Sequence, residues 1–77
     1  MEPRLVDILT DVFRIRGDAV RDDMQLDGLE IWDSLKQMEF VLTVERVFAI
    51  QLSPQEIFAM RRVDEVRRIL RSKGVDA

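Results

Sequence analysis

The stretch from Ser34 to Phe48, SLKQMEFVLTVERVF, constrains the fold more than any other part of this chain. It contains neither glycine nor proline, and its apolar residues recur at steps of three and four, which predicts one continuous helix. A helical wheel gives this helix one broad apolar face, made of Phe40, Val41, Val44, Val47 and Phe48. A chain of 77 residues can build one modest core, so the other elements must pack against this face.

Two further segments show the same helical period. Apolar residues fall on one face of residues 3–14, where Pro3 is acceptable in the first turn, and this helix should end before Gly17. The last helix should stop near Gly74, and its buried face is predicted to contain Val63, Val66, Ile69 and Leu70.

A short helix is predicted between these longer ones. The sequence SPQE places Ser53 as an N-cap, Pro54 at the first helical position and Glu56 where it completes a capping box, for a helix over residues 54–60. No segment shows the alternation expected of a strand. The sequence therefore predicts an all-α fold, a small four-helix bundle with three longer helices and one short helix, in a single domain of residues 1–77.

The segment from Ile15 to Asp33 has no sustained period and carries Asp and Gly at turn-like positions. Loops of this length are uncommon in compact domains and often serve a function. Its apolar residues should pack across the helices rather than face solvent; they are Val20, Met24, Leu26, Leu29, Ile31 and Trp32.

The absence of cysteine and histidine excludes a good deal of catalytic chemistry. Thiolate nucleophiles, the usual zinc sites and every Ser-His or Cys-His arrangement need one of these residues. Lys36 is a possible base for Ser34, but residues two positions apart on a helix do not face each other. We therefore expect neither an enzyme nor a metal site.

Charge is unevenly distributed along the chain. Residues 1–33 hold nine acids and four bases, a net of −5, while residues 34–77 hold six acids and eight bases, a net of +2. The bases of the last helix fit a solvated face better than a nucleic-acid surface. No apolar run is long enough to span a membrane, and the first residues carry charges where a signal segment would be apolar. We expect a cytoplasmic protein without nucleic-acid binding or membrane insertion.

The predicted helix over residues 34–48 has a second apolar stripe, opposite its core face. Leu35, Met38 and Leu42 form this stripe, and Glu39, Glu45 and Arg46 border it. Two interpretations remain open: the long loop covers the stripe, or the stripe is a docking surface with apolar contacts inside a charged rim.

Ser34 also has two interpretations. It could be the N-cap of its helix, with Gln37 completing a capping box. It could instead carry a phosphate ester, because the free N–H groups and positive dipole end at a helix start favour an anion.

The motif DSL at Asp33–Leu35 and the sequence that follows it, DSLKQMEFVLTVERVFAIQLSPQEI, resemble the acyl carrier protein family. The similarity covers about Leu5 to Leu70. It implies that a phosphopantetheinyl transferase attaches 4′-phosphopantetheine from coenzyme A to Ser34, and that the thiol of this arm carries an acyl or aminoacyl group as a thioester. The family's reactive sulfur comes with the cofactor, which accounts for a chain without cysteine.

The resemblance also implies roles for other residues. Asp33 would orient the serine and meet the transferase. Ile57, on the short helix, would border the arm and its cargo. The partner enzymes would be a loading ligase and downstream transferases or synthases, acting on a monomer. Their recognition surface would consist of Leu35, Met38, Glu39, Leu42 and Glu45.

Some residues depart from the family's usual pattern. Lys36 and Arg46 interrupt the acidic surface typical of fatty-acid carriers. The glycine that the family usually has just ahead of the motif is absent, and Trp32 directly precedes Asp33. These departures favour a specialised pathway, such as polyketide, aminoacyl or surface-polymer modification. The alternatives are a non-covalent interaction module that uses Leu35, Met38 and Leu42, and a DNA-binding domain that uses the last helix.

Overall fold

The computed structural model describes all of residues 1–77 and consists of four α-helices without any strand. Helix α1 spans Pro3–Phe13, α2 spans Ser34–Phe48, α3 spans Pro54–Ala59 and α4 spans Val63–Ser72. Two 3-10 turns, Gly17–Ala19 and Leu26–Gly28, lie within the long loop. Helix α1 packs against α2, and α3 packs against α4. The predicted bundle of three longer helices and one short helix is confirmed.

The core lies where α1, α2 and α4 meet. The rings of Phe13 and Phe40 pack against each other in the core in a tilted arrangement, with centroids 5.3 Å apart. The predicted core face of α2 is confirmed in Phe40, Val41 and Val44, which are fully buried, whereas Val47 and Phe48 are only partly buried. The predicted inner face of α4 is entirely buried: Val63, Val66, Ile69 and Leu70. This arrangement uses one side of α2 for the core and leaves its opposite side free.

The long loop is attached to the start of α4 through its backbone. The Leu26 N–H donates to the Arg61 carbonyl at 2.8 Å, and the Val63 N–H donates to the Met24 carbonyl at 3.1 Å. Leu26 itself is fully buried. The prediction that the loop's apolar residues pack across the helices is confirmed for Val20, Met24, Leu26, Leu29 and Trp32. It is wrong for Ile31, whose exposure of 39% places it on the surface.

Two helices end at a residue that adopts the left-handed conformation although it is not glycine. Arg14, with φ 60°, follows α1, and its N–H donates to the Thr10 carbonyl at 3.0 Å. Ala49, with φ 54°, ends α2 in the same way. Helix α1 therefore stops one residue before the predicted end. The expected stop of α4 is confirmed, because Ser72 is its last residue and Gly74 adopts φ 88°.

Helix α3 is held by polar contacts at its first turn. The Glu56 N–H donates to the Ser53 hydroxyl at 3.2 Å, and the Ser53 N–H donates to the Glu56 carboxylate at 2.8 Å, so the predicted capping box is confirmed. The Lys73 ammonium, just beyond α4, lies 3.0 Å from the same carboxylate. No residue of α3 is fully buried, and the helix ends at Ala59, one residue before the predicted end. Its position depends on these polar contacts at its first turn and on the partial burial of Ile57 and Ala59 against the core.

Candidate functional site

Ser34 is the first residue of α2 and is exposed. The N-cap is Asp33, whose carboxylate accepts the Lys36 N–H at 2.7 Å. The interpretation of Ser34 as the cap of its helix is therefore wrong, because the residue before it, Asp33, is the N-cap and Ser34 is already the first residue inside the helix. This leaves the Ser34 hydroxyl without a structural hydrogen bond.

The helix start beside Ser34 has free hydrogen-bond donors. The N–H groups of Ser34 and Leu35 make no hydrogen bond within the chain, while Asp33 occupies the next amide, that of Lys36. Free amides at the positive end of a helix stabilise a phosphate ester. The residues present therefore fit a phosphodiester on the Ser34 oxygen.

Gln37 does not complete a capping box, because its side chain turns into the protein. It is 5% exposed and is the buried polar residue of the chain. Its Oε1 accepts the Trp32 indole N–H at 2.9 Å, and its Nε2 donates to the Met60 carbonyl at 2.8 Å. Gln37 thus joins the residue before the DSL motif to the end of α3, and both halves of its amide are satisfied.

A cleft of about 320 Å³ opens beside Ser34, between the start of α2 and helix α3. Its walls combine aromatic and aliphatic side chains with a single charged group. The lining residues are Trp32, Ser34, Gln37, Met38, Pro54, Ile57, Phe58 and Arg61. Ile57 and Ser34 therefore share one cleft, which is the arrangement that the resemblance implied for Ile57.

Arg61 closes one side of this cleft. Its guanidinium carbon lies 5.1 Å from the centroid of the Trp32 ring and 5.0 Å from that of Phe58. Contacts of this length between a cation and two aromatic faces are attractive. Sequence reasoning missed both Arg61 and Phe58. Arg61 stands beside another arginine, and no local pattern distinguishes the two.

The second apolar stripe of α2 is open to solvent. Leu35 is 81% exposed, Met38 is 44% exposed and Leu42 is 57% exposed. The interpretation that the long loop covers this stripe is wrong, because that loop is attached to the start of α4 instead. Glu39 lies beside the stripe and forms an ion pair with Lys36 at 3.6 Å. The structure thus leaves an apolar strip that begins next to Ser34.

Glu45 makes a structural hydrogen bond. Its carboxylate accepts the Leu52 N–H at 2.9 Å and so supports the loop that leads into α3. The side chain is partly buried rather than fully available at the surface. Among the acidic residues assigned to the recognition surface, Glu39 is therefore the freer one.

The basic residues of α4 are mostly paired with acids. Arg67 contacts Asp22 at 2.5 Å, and Arg68 contacts Glu65 at 2.7 Å. The hydrogen bond with the Glu65 carboxylate raises the pKa of Arg68. Such pairing neutralises the charge that a nucleic-acid surface would need. No helix of the structure is both long enough and apolar enough to cross a membrane.

Comparison with known proteins assigns the chain to a family. The family model for the phosphopantetheine attachment site matches residues 3–70, from the first residue of α1 to the buried end of α4. The chain belongs to this family. The resemblance to acyl carrier proteins is thereby confirmed, and the cofactor of the family is covalently attached 4′-phosphopantetheine. A search of curated proteins gave no match to the chain.

Membership in the family makes the chain a phosphopantetheine-carrying carrier protein, and such carrier domains are typically non-catalytic. Carriers of this kind interact with a phosphopantetheinyl transferase and with the enzymes of their pathway. The family model describes a domain and does not by itself assign roles to individual side chains.

Proposed function

We propose that residues 1–77 act as one carrier domain and that Ser34 is the residue to which phosphopantetheine is attached. The observation that carries this proposal is the position of Ser34, exposed at the first turn of α2, beside two free amides and at the edge of an apolar cleft. The chain has two other serines. Ser53 is engaged in its capping box, and the Ser72 hydroxyl donates to the Ile69 carbonyl at 2.6 Å.

The attachment step needs little from this chain. The Ser34 oxygen attacks the pyrophosphate of coenzyme A, the new oxygen–phosphorus bond replaces the bond to the adenosine-bisphosphate part, and the hydroxyl proton leaves to a base of the transferase. The bound cofactor supplies a thiol that carries an acyl or aminoacyl group as a thioester. Asp33 holds the first turn of α2 and so fixes the direction of the Ser34 side chain. The amides of Ser34 and Leu35 stabilise the phosphodiester.

The recognition surface that we propose for partner enzymes follows the exposed strip of α2. Leu35, Met38 and Leu42 supply apolar contact area, and Glu39 supplies negative charge at the rim. A loading ligase and downstream transferases or synthases would dock there in turn.

Glu45 and Ile57 form the edge of this surface on the side of α3, where the arm would lie. Lys36 and Arg46 reduce the negative charge of the surface, so strongly basic partners gain less from it. This charge pattern supports a specialised biosynthetic pathway as the setting.

The experiment is intact-protein mass spectrometry after incubation with coenzyme A and a broad-specificity phosphopantetheinyl transferase. We expect one added phosphopantetheinyl group on the wild-type chain and on Ser53→Ala, a matched control at the start of another helix, but none on Ser34→Ala. Circular dichroism establishes that each variant is folded. Modification of Ser34→Ala, or no modification of the folded wild-type chain beside a working carrier, would contradict the proposal.

The second candidate function is a non-covalent interaction module, favoured by the exposed apolar strip alone. It predicts that Ser34→Ala keeps every partner, because Leu35, Met38 and Leu42 remain. A carrier predicts the loss of all acyl loading on the same folded variant. Partner binding measured beside acyl loading on Ser34→Ala separates the two functions.

A further inference from the structure

The cleft beside Ser34 contains one charged side chain. Among its lining residues only Arg61 carries a formal charge; most of the wall is apolar or aromatic. The guanidinium lies between the rings of Trp32 and Phe58. Contacts with two aromatic faces restrict the orientation of the group, so less conformational entropy remains to be lost when it binds a ligand.

The side-chain hydrogen-bond donors of Arg61 are unused. The nearest carboxylate oxygen belongs to Asp27 and lies 3.9 Å from Nη1, too far for a hydrogen bond, and Nε is buried without an acceptor. The neighbouring Arg62 differs in this respect, because its Nη2 lies 3.0 Å from the Asp64 carboxylate. A guanidinium presents five N–H donors, and a buried donor without a partner calls for an explanation.

We propose that Arg61, between Trp32 and Phe58, is a binding site for an oxyanion of the group attached to Ser34; this inference rests on the proposed function. Two parts of the conjugate offer that chemistry, the phosphodiester of the arm and a carboxylate on the cargo. A guanidinium binds either one through paired N–H donors, and the apolar walls strengthen the attraction because they exclude water. Ser34 lines the same cleft, so a group on its oxygen is delivered to Arg61.

The two sources have different consequences for cargo. If the phosphodiester is the ligand, Arg61 draws the arm towards α3 whatever the arm carries. If a carboxylate is the ligand, the cleft selects acyl groups that end in a carboxylate over neutral groups of the same shape. The site then determines the substrate class of the carrier.

The test compares four forms of the full chain: unmodified, carrying the free arm, malonyl-loaded and acetoacetyl-loaded. The last two differ by a carboxylate in place of a methyl ketone. Loading is verified by mass spectrometry, and NMR then follows the Arg61 Nε–H, the indole N–H of Trp32 and the phosphorus of the phosphodiester. Trp32 is the single tryptophan, so its indole signal needs no assignment among others.

Three variants are compared. Arg61→Met removes the charge and keeps an unbranched side chain between the rings, and Arg61→Lys keeps the charge without the planar fork. Arg62→Met is the control at the adjacent position. We expect the Arg61 Nε–H of the wild-type chain to move downfield. A shift in all three modified forms assigns the phosphodiester as the ligand, and a shift in the malonyl form alone assigns the carboxylate. The accompanying shifts, of Trp32 with either ligand and also of phosphorus if the phosphodiester is the ligand, should be lost in Arg61→Met, reduced in Arg61→Lys and unchanged in Arg62→Met.

Unchanged Arg61 signals in every verified conjugate would overturn the inference and leave the proposed function intact. An accompanying shift that the wild-type conjugate shows and that persists unchanged in Arg61→Met would also overturn it. If mass spectrometry finds no group on Ser34, the inference fails together with the attachment on which it rests.

Discussion

Helices α3 and α4 follow each other with three residues between them, yet they are held in opposite ways. Helix α4 buries four apolar residues in the core, whereas α3 buries none and depends on its capping box and on Lys73. Segments with few buried contacts open locally at a lower free energy than the core does. The residues that α3 contributes to the cleft, Ile57 and Phe58 among them, therefore lie on the part of the bundle that can adjust without disturbing the core.

The largest expected difference between the two helices comes from truncating one side chain in each. Leu70 of α4 is fully buried, and Leu70→Ala should lower the free energy of unfolding by about 2–5 kcal/mol, since it removes apolar contacts and leaves a cavity. Phe58 of α3 is 73% exposed, and Phe58→Ala should cost less than about 1 kcal/mol, the size of its exposed contact with Arg61. Urea denaturation measures both, and equal losses would contradict the comparison.

A smaller effect is expected at Gln37, which joins the start of α2 to the end of α3. Gln37→Ala removes the donor to the Met60 carbonyl and the acceptor of the Trp32 indole, so we expect a loss of about 1–3 kcal/mol in the free energy of unfolding. Gln55→Ala, an exposed position of α3, is the matched control and should change stability by less than about 0.5 kcal/mol. Trp32 fluorescence should change in the first variant only, and a similar spectrum in both would argue against the link.

The smallest expected effect is a pH dependence confined to α3. Two groups lower the pKa of Glu56 below the usual range of glutamate. The hydrogen bond from the Ser53 N–H has the larger effect, and the Lys73 ammonium has the smaller one. The stabilisation is therefore present above the pKa that Glu56 has in the unfolded chain, and it is lost as the pH falls through the lowered value of the folded state. Hydrogen exchange in α3 should become less protected at acid pH, while exchange in α4 should not change.

Glu56→Gln is the control for this pH dependence. Glutamine at the same position still accepts the Ser53 N–H of a capping box but does not titrate. The protection of α3 should then be nearly independent of pH over this range. An unchanged pH dependence in Glu56→Gln would assign the effect to another group.

Much of the fold could be predicted because it depends on local chemistry. Helix α2 begins and ends at the predicted residues, and both hydrogen bonds of the capping box at Ser53 and Glu56 are present. Periodicity and capping involve residues within four positions of each other, so the sequence alone contains the relevant neighbours. The ends of α1 and α3 differ by one residue each, because Arg14 takes a left-handed conformation and Met60 turns into the core.

The candidate site was predictable in part. The DSL motif directed attention to Ser34, and the wheel of α2 separated its core face from its exposed strip. The role of Gln37 was not predictable, because its partners are Trp32 and a carbonyl 23 positions away along the chain. Which residue caps α2 was not predictable, because Asp33 and Ser34 are adjacent and both residue types are common N-caps.

The sequence by itself determined the four helices, the inner face of each longer helix and the motif that contains Ser34, because hydrophobic period and capping are properties of adjacent residues. Only the tertiary structure decided which of two neighbouring arginines enters the cleft. Arg61 lies between Trp32 and Phe58, while Arg62 pairs with Asp64. The tertiary structure also decided that the long loop attaches to α4 and leaves the strip of α2 uncovered. This attachment depends on hydrogen bonds between segments far apart in the chain.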